Sequence, residues 1–286
     1  MKKGTKIWLI VALIFILAGG GLCIAAVSMG INFDSLRQEI EDGHYSFSLQ
    51  NWGIHIGDDN EAMESVMDAN GNEKVQAEEE MGALQINLDF GKLKVEPTPE
   101  GKKDIYLDAG NDAKYFEWSS DGHEIVVQNR DRNRVILGEA IPEATLYVPE
   151  GTKILTAYVG VDAGSCDIDV PLLCEYLEVD VDAGVASIKN IQATSASLDC
   201  DAGSILLDGS VEEGGNIEVD AGKIEVKLAG ADEKDYDYDI NVSLGTLNIN
   251  GRSFSGLDEE RIIDNGAYSQ WTIGCDAGSI DMTMNK

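Results

Sequence analysis

The chain has 286 residues, 43% of them apolar, which suffices for one large domain or two small ones with a substantial core. Its 52 acidic residues outnumber 21 basic ones, and the formal net charge is -31. That balance excludes nucleic acid as a partner, because phosphates demand a basic face, and it argues against adsorption to anionic lipid head groups.

The chain opens with Lys2, Lys3 and Lys6, followed by an uncharged run from Ile7 to Phe33; the first acid is Asp34. A membrane span needs about 20 apolar residues, whereas the apolar part of a signal peptide is shorter, about 7–15. Residues 1–33 are therefore predicted to be a cytoplasmic tip and a single-pass anchor crossing the cell membrane over residues 7–29. The lysines place the N-terminus in the cytoplasm and the remainder outside. Gly19, Gly20 and Gly21 interrupt the run, so cleavage near Ala26 is the competing expectation. Cys23 does not mark a lipoprotein, because Leu22 stands where a small residue is needed.

Residues 34–80 read as an acidic stalk. FDSLRQEIEDG suits a few helical turns ending at Gly43, and YSFSL alternates Tyr45, Phe47 and Leu49 as a short strand does. The stretch DDNEAMESVMDANGNEKVQAEEE is rich in acids and turn formers and poor in large apolar residues, which predicts a solvated linker. DANGNE within it lacks the full ligand spacing of a calcium loop and reads as a turn.

From residue 81 to 286 the pattern is β, and it repeats. Asp-Ala-Gly recurs at Asp162, Asp182, Asp201, Asp220 and Asp276, with looser copies at Asp89-Phe90-Gly91 and Ser243-Leu244-Gly245. In each of the seven, the residues one and three before the first letter are apolar, as are the second and fourth after the glycine. The Asp182 copy shows the rule with Val179, Val181, Ala186 and Ile188. Two period-2 strands meeting at a fixed corner cannot bury their apolar sides alone, so neighbouring units must stack. The predicted fold is all-β: a parallel β-solenoid of about seven coils, each about 4.8 Å above the last, preceded by the transmembrane helix. An antiparallel sandwich is the competing fold. The spacing lengthens after Asp220, which predicts longer loops in the last coils.

Asp108-Ala109-Gly110 carries the triplet but not the register, since Asp112 and Lys114 fill the apolar slots; it is expected to be an ordinary turn. HEIVVQN and ATLYVPEGTKI read as strands, with Pro149-Glu150-Gly151 as a turn, in a less regular first layer or cap.

The triplet has a structural reading and a ligand reading. Structurally, Asp162, Asp182, Asp201, Asp220 and Asp276 accept hydrogen bonds from turn N–H groups, alanine keeps the corner narrow, and Gly164, Gly184, Gly203, Gly222, Gly245 and Gly278 supply angles that other residues resist. Stacked acids repel, by roughly 1 kcal/mol per pair in water. The ligand reading relieves this with a weakly held calcium ion on Asp180, Asp182, Asp199, Asp201 and Asp220; otherwise no cofactor is expected.

Cys166, Cys200 and Cys275 occupy inward apolar slots and are expected to be buried thiols; a bond from Cys174 to Cys166 stays open. His44, His55 and His123 lie outside the repeats, with no metal spacing or nucleophile motif beside them. Carboxylates are abundant, but no basic cluster marks a catalytic groove, so a polysaccharide-acting enzyme ranks last among the readings.

ATLYVPEGTKI followed by DAGSCDID, DAGVASIKN, DAGSILLDG and DAGKIEVKL resembles a bacterial adhesin-like family, a domain of unknown function grouped with toastrack-type solenoids. The resemblance covers residues 81–286, and the anchor and stalk fit it as well. The chain departs from it in carrying Asp-Ala-Gly where many relatives carry Ser-Gly, and in its acidity. The resemblance implies a non-enzymatic binding or scaffold module at the cell envelope, with a protein or a cell-surface polymer as partner. It also implies an alternative role in envelope-stress sensing through another membrane protein, and it offers no catalytic residue to carry over.

Overall fold

The computed structural model describes residues 66–67, 73–76, 80–99, 103–120, 123–130, 141–255 and 258–286. The expected anchor, most of the expected stalk, Cys23, His44 and His55 lie outside the described residues. Among the described residues no helix is long and apolar enough to cross a membrane.

Period-2 alternation produces strands throughout. In chain order they are β1 (Val66–Met67), β2 (Glu73–Gln76), β3 (Glu80–Leu88), β4 (Lys92–Pro97), β5 (Asp104–Asp108), β6 (Phe116–Ser120), β7 (Glu124–Asn129), β8 (Glu143–Val148), β9 (Thr152–Val161) and β10 (Ser165–Val181). There follow β11 (Val185–Cys200), β12 (Ser204–Val211), β13 (Gly214–Val219), β14 (Lys223–Ala229), β15 (Tyr236–Val242), β16 (Thr246–Ile249), β17 (Arg252–Ser255), β18 (Glu259–Ile263), β19 (Ser269–Cys275) and β20 (Ser279–Asn285).

The strands form two faces joined at the repeated bend. The inbound face holds the strands that lead into the bend, in the spatial order β6, β7, β3, β9, β10, β11, β13, β19, β15, β18. The outbound face holds those that leave it, in the order β5, β8, β4, β10, β11, β12, β14, β20, β16, β17. All internal pairings are parallel, as a solenoid requires. Among the described residues, the pairs at the ends of the two faces, β6–β7, β5–β8, β15–β18 and β16–β17, are antiparallel, as are β1–β2 and β2–β5 beyond them. β10 and β11 are long because each crosses from the outbound face of one coil to the inbound face of the next. Their shared ladder shifts register between Asp169 and Leu172, opposite Asn190 at φ 60°.

The register expected from the sequence is the register observed. All twenty-eight apolar slots, four from each of seven copies, are buried to 2% exposure or less. Val181 pairs with Cys200, and Cys200 with Val219, so like slots form columns between the faces.

The coils do not stack in chain order. The coil of β3 and β4 lies between β7/β8 and β9/β10, and the C-terminal coil of β19 and β20 lies between β13/β14 and β15/β16. The expectation that each coil follows the last therefore fails at both ends. The long segment after Asp220 is a whole coil with its capping hairpins, which leaves a slot that the last residues fill. β7 and β8 form an outer rung, and Asp108-Ala109-Gly110 runs into a one-turn 3-10 helix, Gly110–Asp112. β2 pairs with β5 and β1 with β2, so part of the segment expected as stalk extends the sheet instead and covers an edge that β5 would otherwise leave open.

Candidate functional site

The bends are built differently from the expectation. Among the seven bend glycine positions only Gly91 has positive φ, at 90°. What Gly164, Gly184, Gly203, Gly222, Gly278 and Gly245 need is room. A Cβ on Gly203 would lie 2.4 Å from the carbonyl oxygen of Gly184, and one on Gly278 would lie 2.4 Å from that of Gly222. The carbonyls of Gly91, Gly164, Gly184, Gly203, Gly222 and Gly278 also accept from the next coil, as in Ser204 N–H to Gly184 O at 3.0 Å and Ser279 N–H to Gly222 O at 3.1 Å. The bend N–H groups likewise donate to the neighbouring coil: Asp201 N–H to Val181 O at 3.0 Å, and Ala202 N–H to Asp182 O at 2.7 Å. The aspartate carboxylates are not what satisfies these donors. Ala183, Ala202, Ala221 and Ala277 stand exposed at the corner rather than within it. The local turn bond expected of the triplet occurs at the copy outside the register, where Asp108 Oδ1 accepts from Gly110 N–H at 3.1 Å.

Freed from that task, the acids line the outer side of the inbound face and its corner. Asp180 pairs in register with Asp199, and Asp199 with Glu218. Asp162, Asp182, Asp201, Asp220 and Asp276 follow along the bends, all exposed. Partial burial, then the charges of Asp199, Asp182, Asp201 and Glu178, push the Asp180 carboxyl up to about 6. Asp199 is raised for the same reasons, burial first and then Glu218, Asp201, Asp220 and Asp182. Residues 172–181 of β10 and 191–200 of β11, together with β13 and β19, contain no lysine or arginine.

The outbound face has the opposite character. Lys92 reaches Glu143 at 3.0 Å, Lys189 reaches Asp167 at 3.2 Å, and Lys223 and Lys227 flank Glu225 at 3.2 and 2.9 Å. The lysine contacts hold Glu143 and Glu225 below the usual carboxylate range.

The five carboxylates of the calcium reading stand in rows that run along the stack. Among the described residues no group of three or more His, Cys, Asp or Glu side chains is placed to hold a metal ion. Cys166, Cys174, Cys200 and Cys275 are free and buried. Burial pushes the Cys174 thiol up to about 12 and raises Cys166, Cys200 and Cys275 as well, so all four act as small apolar fillers. His123 is exposed on the edge of the first layer.

One feature of the inbound face lies outside the repeat register. β18 closes its end, and Ile262 there is 78% exposed beside an open groove of about 410 Å³. The signal for this hairpin-rich end is Asn250-Gly251, a two-residue turn with φ 48° and 81° joining β16 to β17.

The family model described as Toastrack DUF4097 matches residues 83–256, more than half of the chain. No curated protein matches the chain. Among solved structures it is similar to a candidate cell-adhesion protein from Clostridium sporogenes, with TM-score 0.42 and 15% identity over 75% of this chain and 100% of that one. It is also similar to a candidate adhesin from Bacteroides fragilis, with TM-score 0.30 and 12% identity over 74% and 95% of the two chains. A third is a candidate lipid-binding protein from Parabacteroides distasonis, with TM-score 0.31 and 12% identity over 75% and 96%.

Proposed function

The chain belongs to the Toastrack DUF4097 family, and on that premise we propose that it is a non-enzymatic binding module held at the outer side of a cell membrane. The observation that carries this reading is the segregation of charge between the two faces. Stability alone favours alternating signs on adjacent rungs, as on the outbound face, where Lys92 pairs with Glu143 and Asp208 stands between Lys189 and Lys227. The inbound face instead keeps Asp180, Asp199 and Glu218 side by side, at roughly 1 kcal/mol of repulsion per adjacent pair. A cationic surface laid on that face relieves the repulsion, so the face favours a positively charged region of a protein or of a cell-surface polymer. Lys2, Lys3 and Lys6 ahead of residues 7–29 support an anchor with its N-terminus in the cytoplasm and the solenoid outside.

The test is crosslinking from the outer surface of intact cells. The native chain is compared with a variant carrying Asp180→Asn, Asp199→Asn and Glu218→Gln. The native chain is expected to capture a protein or surface polymer, and the folded variant to lose it. Recovery of a membrane kinase or transporter assigns a sensing role; recovery of external matrix assigns adhesion. Equal capture by the variant overturns the charge argument. Glycan cleavage that disappears with a single aspartate change overturns the non-enzymatic reading.

A further inference from the structure

Among the described residues, the inbound face ends at β18. β18 pairs with β15 on one side, and among the described residues no strand pairs with its other side. Alternate N–H and C=O groups of such an edge are available to an added strand. Ile262 is 78% exposed and stands opposite Asp239 on the outer side of the sheet. The groove beside it is lined by Asp239, Ile240, Asn241, Glu260, Arg261 and Ile262. Arg261 stands 3.8 Å from Glu259 on the inner side, so Asp239 and Glu260 set the sign of the outer wall. Ile263, the next inward residue, packs against the core.

We propose that this edge takes up an extended segment of a partner protein in which basic and apolar residues alternate, added as a further strand beside β18. The alternation follows from the pleat. On the outer side, lysine or arginine stems cover Ile262 while their charged ends reach Glu260 and Asp239. On the inner side, apolar residues extend the row that ends at Ile263. A second copy of this chain is the wrong occupant, because its own edge presents Asp258, Glu259, Glu260 and Asp264 and the chain carries a net charge of -31. The proposal rests on the binding reading above and adds a place and a chemical class to it.

The experiment uses the full chain in detergent and two labelled synthetic peptides of equal charge, one alternating lysine with valine and one alternating lysine with proline. Proline removes every second N–H group and, with its fixed φ, holds the peptide out of the extended geometry that a ladder requires. At physiological ionic strength, the valine peptide is expected to bind at least about tenfold more tightly than the proline peptide, a difference of the size expected from a new ladder. It is expected to slow amide exchange at Glu259–Ile263. Ile262→Pro is expected to abolish the difference between the peptides. Asp239→Lys with Glu260→Lys, which leaves the edge backbone intact, is expected to weaken the valine peptide more than tenfold. Equal binding of the two peptides, or protection confined to the rows at Asp180 and Asp199, overturns the proposal. So does self-association of the chain through this edge that excludes the peptide. Such failure alongside undiminished crosslinking through the acidic rows leaves the binding reading standing and removes only the edge.

Discussion

Asp180 is where the acidic rows weigh on stability. Its carboxyl has an ordinary value of 3.8 and sits near 6 in the fold, so between those values the folded chain holds a proton that the unfolded chain has lost. The contribution of this proton to stability is therefore fully present below about pH 4 and is lost as the pH rises through about 6. Asp180→Asn removes the charge and is expected to raise stability near neutral pH by about 1 kcal/mol, a figure already reduced for solvent screening of a half-exposed group. Urea unfolding across this range checks it; a native-like pH profile in the variant removes the argument. The bend glycines give a second test at the same scale. Gly203→Ala places a Cβ 2.4 Å from Gly184 O and 2.5 Å from Val181 Cγ1, and is expected to cost about 3 kcal/mol or more. Gly151→Ala meets nothing within 4 Å but keeps φ 74°, and is expected to cost about 1 kcal/mol. Denaturant midpoints order the two; the reverse order would restore the expectation that the bend glycines are there for their backbone angles.

Each strand obeys a parity that the residues themselves announce. In β11, Ile188 faces inward at 0% exposure between Ile168 and Leu207, while Val185 faces outward at 48% exposure. Ile188→Asp is expected to unfold the domain, because an unpaired carboxylate there has neither water nor a partner. Val185→Asp is expected to change stability by no more than about 0.5 kcal/mol. Circular dichroism and melting of the pair read the parity directly, and equal effects would mean that the strand is misregistered. This parity was legible because side chains alternate whether or not the neighbouring strand is known. The reason for glycine was not legible, because the atom that excludes a Cβ at Gly203 belongs to Gly184, a coil away. Nor was β18, since the residues from Arg252 to Tyr268 interrupt the repeat and the register steps over them. Asn250-Gly251 marked the turn that opens this interruption, but a hairpin signal does not say which edge it leaves open. The acidic rows fell between these cases. Their members were countable, but the lysine-free stretch around them became meaningful only against the paired charges of the other face.

At the scale of the whole molecule, the order of the coils decides how the domain comes apart. In a solenoid stacked in chain order, the last coil touches one neighbour and frays first. Here β19 and β20 make ladders on both sides, to β13 and β14 and to β15 and β16. Trp271, fully buried, stands between Gly215 and Tyr238, and its ring lies 6.1 Å from that of Tyr236. Ladders such as Gly214 to Gln270 join residues far apart in the chain, which predicts slow folding, with the insertion completed late. Native-state hydrogen exchange reads the consequence: the amides of β19 and β20 are expected to exchange as slowly as those of β10 and β11. Trp271→Ala is expected to cost about 3–5 kcal/mol and to lower protection on both flanking coils together. Early exchange confined to β19 and β20, with the coil of β15 and β16 still protected, would show that the final coil lies on the stack instead of locking it.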